Sequence, residues 1–230
     1  MKKLLIANWK THPATESGAV ALARATDLPG LVICPPHEFV REVGREIVRA
    51  SLGAQDYAPD LSALGVRYAI IGHSDRRSAG DTFEIVAEKT ALAAADGLIP
   101  IVCVGETADE RREGVWGSVI REQVISALSR LPGDFSGEIC IAYEPVWAIS
   151  TTPGAETETP EDAEARIARV REAVLQRGHA GVVRFLYGGS VTAPNAPSFA
   201  DREGIGGLLV GGASLKEEEI RKIWQQLQKQ

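Results

Sequence analysis

Short apolar runs recur along the chain, each followed by a charged stretch with helical spacing. The runs are Leu4–Ala7, Leu31–Cys34, Leu52–Gln55, Tyr68–Ile71, Ile99–Val104, Ile139–Tyr143, Val182–Tyr187 and Leu208–Val210. Several are nearly continuous in Val, Ile and Leu rather than alternating, which predicts parallel strands buried on both faces. Between them, Glu84–Ala95, Ser118–Arg130, Pro160–Gln176 and Lys216–Leu227 read as amphipathic helices. Thr159-Pro160-Glu161 reads as an N-cap, a proline at the first helical position and an acid in the first turn. Ser214-Leu215-Lys216-Glu217 has the spacing of a capping box.

Eight strands alternating with about eight helices predict one α/β domain over residues 1–230, a (β/α)8 barrel; ~250 residues is typical of that fold. The rival is an open doubly wound sheet. Eight βα units are many for it, and no G-x-G-x-x-G follows the first strand.

Composition narrows the class. An apolar fraction of 44% with 24% charged residues argues against disorder, collagen and a coiled coil. The net charge of −6 gives no reason to seek nucleic acid or an anionic membrane as main partner. Cys34, Cys103 and Cys140 are too scattered for a disulfide framework or a zinc site and point to a reducing compartment. The histidines at 12, 37, 73 and 179 show no H-x-H or H-x-x-x-H pairing, so no protein-ligated metal is expected. The Leu4–Ala7 run is too short for a signal-peptide core, and no stretch approaches the ~20 apolar residues of a membrane span. A soluble, cytoplasmic protein is expected.

In such a barrel the residues just after each strand converge on one mouth. In order they read N-W-K (8–10), C-P-P (34–36), A-Q-D (54–56), G-H-S-D-R-R (72–77), C-V-G-E (103–106), Y-E-P-V-W-A (143–148), Y-G-G-S (187–190) and V-G-G-A-S (210–214). The last two are candidate anion sites, because backbone N–H groups beside a helix start hold phosphate without side-chain charge. Moving a proton between the carbons of a phosphorylated 2-hydroxycarbonyl compound needs a base, an electrophile for the oxygen, a cation and a phosphate anchor. Glu144, in an otherwise apolar run, is the candidate base; a solvated acid or a structural salt bridge is the plainer alternative. His73 precedes Ser74 and Asp75, which look like helix-capping residues, and a helix start there favours a neutral imidazole able to donate to a carbonyl. A buried structural histidine is its alternative. Lys10 would place an ammonium in the mouth, or lie on the surface. Each assignment alone is weak; complementary roles on separate strand ends of one barrel are stronger.

Six of them, N-W-K, G-H-S-D-R-R, C-V-G-E, A-Y-E-P-V-W-A, Y-G-G-S-V and L-L-V-G-G-A-S-L, in order across nearly the whole chain, closely resemble the signatures of the triosephosphate isomerase family. E-P-V-W-A-I and G-H-S-x-R-R are the specific ones. The resemblance implies an aldose–ketose isomerase of glycolysis and gluconeogenesis that needs no cofactor. Its alternatives are a sister isomerase for a longer (tetrulose) phosphate and a phosphosugar-binding barrel with little turnover. By the same resemblance Glu144 is the base, His73 the electrophile, and Lys10 with Asn8 the polar floor. Ser150, Ser190, Gly211 and Gly212 contact the phosphate. Pro145-Val146-Trp147 begins a mobile lid, Glu106 holds Trp147 when the lid is open, and Tyr187 secures it when closed.

Four departures from the family pattern carry expectations. Asp75 stands where glutamate is usual, retracting a carboxylate by ~1.5 Å beside Lys10; misplacement of ~1 Å can cost about 10²-fold in rate. The lid is about three residues longer than usual, with Ser150 in place of a glycine and a Pro153-Gly154 turn, so closure is expected to be slower, looser or shaped for another substrate. Only residues 57–66 separate the third and fourth strands, too few for the family's long dimer loop. A monomer or a non-standard, weak homodimer of lower activity is therefore expected. Finally, G-I-G-G (204–207) replaces the usual aspartates, leaving Arg171 without its customary partner.

Overall fold

The eight strand runs pair side by side, all parallel, in chain order, and the last closes on the first. The computed structural model describes residues 2–149, 156–179 and 181–229. The strands are β1 (Leu4–Asn8), β2 (Leu31–Cys34), β3 (Ser51–Ala54), β4 (Tyr68–Ile71), β5 (Ile99–Val104), β6 (Ile139–Tyr143), β7 (Val183–Tyr187) and β8 (Gly207–Val210). Around them lie α1 (Glu16–Ala25), α2 (Val40–Glu46), α3 (Ser74–Ser78), α4 (Phe83–Ala95), α5 (Ala108–Arg112), α6 (Trp116–Ala127), α7 (Pro160–Arg177), α8 (Ala196–Ala200) and α9 (Glu217–Leu227). The closed barrel replaces the open-sheet alternative.

Alternation along the strands divides the core in two. Ile6, Val32, Cys34, Ile70, Ile101, Cys103, Cys140, Ala142, Leu186 and Leu209 fill the barrel interior. Their outward neighbours, such as Leu5, Ala7, Ile33, Val102 and Ile141, pack against the helices. The same parity positions the chemistry. Asn8 and Lys10 continue the inward set begun by Ile6, and Glu144 continues Cys140 and Ala142. Gly53 is obligatory on this inner face, because a Cβ there would stand 2.4 Å from Cys34 Sγ.

The third βα unit departs most from a regular repeat. Between β3 and β4 there is a single 3-10 turn, Ser62–Leu64, and no α-helix. Thirteen residues of connection leave no room for a helix and two loops. Two capping expectations also change. Thr159 caps α7 as read, accepting the Asp162 N–H at 3.1 Å. Ser214 instead lies in a 3-10 turn, Gly212–Leu215, where its Oγ donates to the Gly211 carbonyl, and Lys216 heads α9 with no side-chain cap. His73, not Ser74 or Asp75, is the N-cap of α3.

Candidate active site

One cavity of about 470 Å³ opens at the C-terminal ends of the strands, and Asn8, Lys10, His73, Glu144, Ser190 and Gly211 are among the residues lining it. Gly212 lines it as well. Three side chains from β1, β4 and β6 therefore share a space of small-molecule size.

Lys10 is held by its backbone. Its φ is +53°, unusual for a residue with a Cβ, and its N–H donates to Asn8 Oδ1 at 3.0 Å while its carbonyl accepts from Gln55 Nε2 at 2.7 Å. Gln55 also donates to the Cys34 carbonyl at 3.0 Å, tying the ends of β1, β2 and β3 together. The Lys10 ammonium lies 3.1 Å from Asp75 Oδ2. The shorter acid thus reaches the lysine.

His73 turns into the cavity because Gly72, at φ +70°, breaks the strand parity after Ile71. Its Nδ1 accepts the Asp75 backbone N–H at 3.1 Å, which requires a lone pair there and leaves the ring proton on Nε2. Nε2 faces Glu144 Oε1 at 3.4 Å. Glu144 is buried beside the Cys103 thiol, and among the described residues its Oε2 has no hydrogen-bond partner. Its main chain is fixed from both sides: its N–H donates to the Val104 carbonyl at 2.8 Å, and a Cβ on Gly105 would collide with the Glu144 carbonyl at 1.9 Å.

The anion side differs in detail from the reading of the sequence. The N–H and the Oγ–H of Ser190 both donate to the Ala148 carbonyl, at 3.2 and 2.8 Å. In this arrangement the serine braces the turn at Val146–Ala148 rather than presenting open donors. Ser150 and the Pro153-Gly154 turn lie outside the described residues. Tyr187 is buried and stacks on Phe199 with ring centres 4.0 Å apart, away from the cavity wall.

Trp147 follows Glu144 by three residues. Its Nε1 donates to Glu106 Oε1 at 3.0 Å, Arg111 stacks on its ring at 3.7 Å, and the Glu156 N–H donates to its carbonyl at 3.2 Å. Several residues here escaped the sequence reading. Gln123 brackets Gly105, accepting its N–H and donating to its carbonyl, and Arg77 joins β4 to β5 by donating to the Gly72 and Cys103 carbonyls. Glu158 is 3% exposed beside Tyr143. Arg77 and Gln55 stood at strand ends, a usable signal; Glu158 and Gln123 had none.

Arg171 has no carboxylate partner among the described residues; its guanidinium lies 5.2 Å over the Phe185 ring and against Gly204. Among the described residues no His, Cys, Asp and Glu group could hold a metal ion, and no helix is long and apolar enough to cross a membrane.

The family model for triosephosphate isomerase matches residues 3–227. A triosephosphate isomerase of Acidiphilium cryptum is 40% identical over 250 aligned positions, covering 97% of each chain. Those of Paracidovorax citrulli and Rhodopirellula baltica are 38% and 37% identical, covering 96% of this chain and 97% and 96% of theirs.

Proposed function

The chain belongs to the triosephosphate isomerase family, and on that premise we propose that Glu144, His73 and Lys10 carry its reaction within a barrel formed by residues 1–230. The protein is an aldose–ketose isomerase that interconverts dihydroxyacetone phosphate and D-glyceraldehyde 3-phosphate, and its substrate is a small phosphosugar. Glu144 removes a proton from the carbon beside the carbonyl and returns it to the neighbouring carbon. His73 donates from Nε2 to the carbonyl oxygen as the enediolate forms, and the Lys10 ammonium offsets the developing negative charge. Asn8 supports Lys10 from the cavity floor. Gly211, Gly212 and Ser190 receive the phosphate after Ser190 gives up the Ala148 carbonyl, with Ser150 as a further candidate donor. Glu106 and Trp147 set the rest position of the lid, and Tyr187 its closed one.

The observation that carries this assignment is the opposition of Glu144 Oε1 and His73 Nε2 at 3.4 Å, with the tautomer fixed by the Asp75 N–H. A substrate entering between them turns each group from its neighbour to a reacting atom. The test is a coupled assay of both triose phosphates with the parent chain and Glu144→Asp. Retraction of the base by about one methylene should cost about 10²-fold in kcat. Parent-like turnover by the variant would overturn the assignment.

One observation favours a second substrate. A cavity of about 300 Å³, lined partly by His37, Gln55, Tyr57 and Arg76, shares Asn8, Lys10 and His73 with the first. That room suits a tetrulose phosphate, and the same assay with a four-carbon homologue decides between them. The short β3–β4 connection also closes on its own chain: Tyr57 donates to Asp96 at 2.8 Å, and Asp56 pairs with Arg76 and Lys89 at 2.9 and 2.7 Å. The chain accordingly works as a monomer or a weak, non-standard dimer. Three buried unpaired thiols suit a reducing compartment such as the cytoplasm.

A further inference from the structure

Two carboxyl groups face one tyrosine hydroxyl behind the active-site wall. Tyr143 Oη stands 3.1 Å from Glu158 Oε1 and 3.1 and 3.3 Å from the two oxygens of Glu106. Glu106, at the end of β5, also accepts the Trp147 indole N–H at 3.0 Å. Arg166 on α7 places Nε 3.8 Å from Glu106 Oε1 and stacks on Trp116 at 3.6 Å. Among the described residues, Glu158, just before α7, has only the tyrosine, and its buried Oε2 has no hydrogen-bond partner. Asp162 on α7 and Tyr187 on β7 are the other titratable groups whose charges bear on it.

The protons in this cluster can be counted. A phenol has one, so it cannot satisfy two ionised carboxylates; one contact would set a lone pair against a lone pair. Glu106 has an N–H donor and a guanidinium beside it and is the group suited to carry charge. An ionised Glu158 would bury a charge with one oxygen unserved, which is costly. As a neutral acid, Glu158 donates to the Tyr143 oxygen, and Tyr143 donates in turn to Glu106.

We propose that Glu158 is a positioning residue of the isomerase: as a neutral acid it completes the directed chain Glu158 to Tyr143 to Glu106, which seats Trp147, and its ionisation loosens that seat. The proposal rests on the reading that Trp147 begins the lid. Burial pushes the Glu158 carboxyl up to about 8; the Glu106 charge adds to the rise, while Tyr143 and Arg166 oppose it. Burial likewise holds the Tyr143 phenol protonated well beyond neutrality. Below that range Trp147 is fastened through Glu106, and above it the two acids repel across a single proton. A loosened rest position favours the closed lid, so KM should fall with rising pH.

The experiment labels the full chain with 5-fluorotryptophan and follows the Trp147 resonance, assigned with Trp147→Phe, between pH 6 and 10. The expected result is one transition with a midpoint near 8, absent in Glu158→Gln, whose amide donates to Tyr143 at every pH, and retained in Asp162→Asn. Tyr143→Phe cuts the link and should also abolish the transition, so failure of one variant to fold leaves the other. KM of the parent should fall about fivefold from pH 7 to 9, with no such change in Glu158→Gln. A Trp147 signal that does not titrate, or titrates unchanged in the glutamine variant, overturns the proposal. Turnover of the parent at pH 6.5, where Glu158 is protonated, tests the isomerase reading separately.

Discussion

The Lys10 ammonium meets the Asp75 carboxylate at 3.1 Å, where the motif resemblance leads to an expectation of glutamate. The contact is possible because Asp75 lies in the first turn of α3 and Lys10 leans from a left-handed backbone, so the two elements make up the missing methylene. Asp75 therefore does two things: its carboxylate orients the ammonium, and its N–H sets the His73 tautomer.

This separates side chain from backbone in a variant. Asp75→Ala keeps the N–H on His73 but removes the carboxylate that orients Lys10, and kcat/KM should fall about 10-fold with the fold intact by circular dichroism. Asp75→Glu should stay within about threefold of the parent, because a carboxylate already reaches the lysine. A loss of about 10²-fold in the glutamate variant would show that the shorter acid has become part of the geometry.

Gly188 backs Glu144, the proposed base. A Cβ there would stand 2.7 Å from Glu144 Cγ and 3.3 Å from Oε1. Gly188→Ala should displace the carboxylate by several tenths of an ångström and lower kcat by about 10-fold to 10²-fold, with KM less affected. Steady-state kinetics measure both.

Glu158 gives stability a pH dependence of definite sign. Its carboxyl titrates near 4.5 ordinarily and near 8 when folded. Between these values the folded chain keeps a proton that the unfolded chain has lost, so stability falls as pH rises from about 4.5 to about 8 and is flat above. Glu158→Gln should remove this slope, raising Tm little at pH 5 and most at pH 8. The difference at pH 8 is on the order of a few kcal/mol, at about 1.4 kcal/mol per pH unit.

Lys89 holds the shortened third unit together, with its ammonium 2.7 Å from Asp56 and 2.8 Å from Asp81. Lys89→Ala would leave two acids facing each other beside Arg76 and should cost about 1–3 kcal/mol in urea unfolding. Light scattering should return the mass of one chain at micromolar concentration; a tight dimer would contradict a connection satisfied by its own residues.

The barrel was legible because β4, β5 and β6 are unbroken apolar runs whose ends coincide with the observed strands. The catalytic candidates were legible because polar residues stood where buried strands should simply stop. What escaped had long-range causes. His73 caps its own helix through the imidazole, a role its letter does not announce. Ser214 had capping-box spacing, but its Oγ is taken by the Gly211 carbonyl. Glu158 sits between two threonines in a polar segment, and only the arrival of Tyr143 and Glu106 from distant strands makes it a buried acid.

The three cysteines in the barrel interior have a practical consequence. Cys34, Cys103 and Cys140 are buried and unpaired, and desolvation pushes the Cys140 thiol up to about 12. An alkylating reagent attacks the thiolate and needs a path to it, so the folded chain should be inert and the unfolded chain should take three equivalents. The rate of modification then counts global openings of the barrel directly, giving an intrinsic clock for how often the whole structure comes apart.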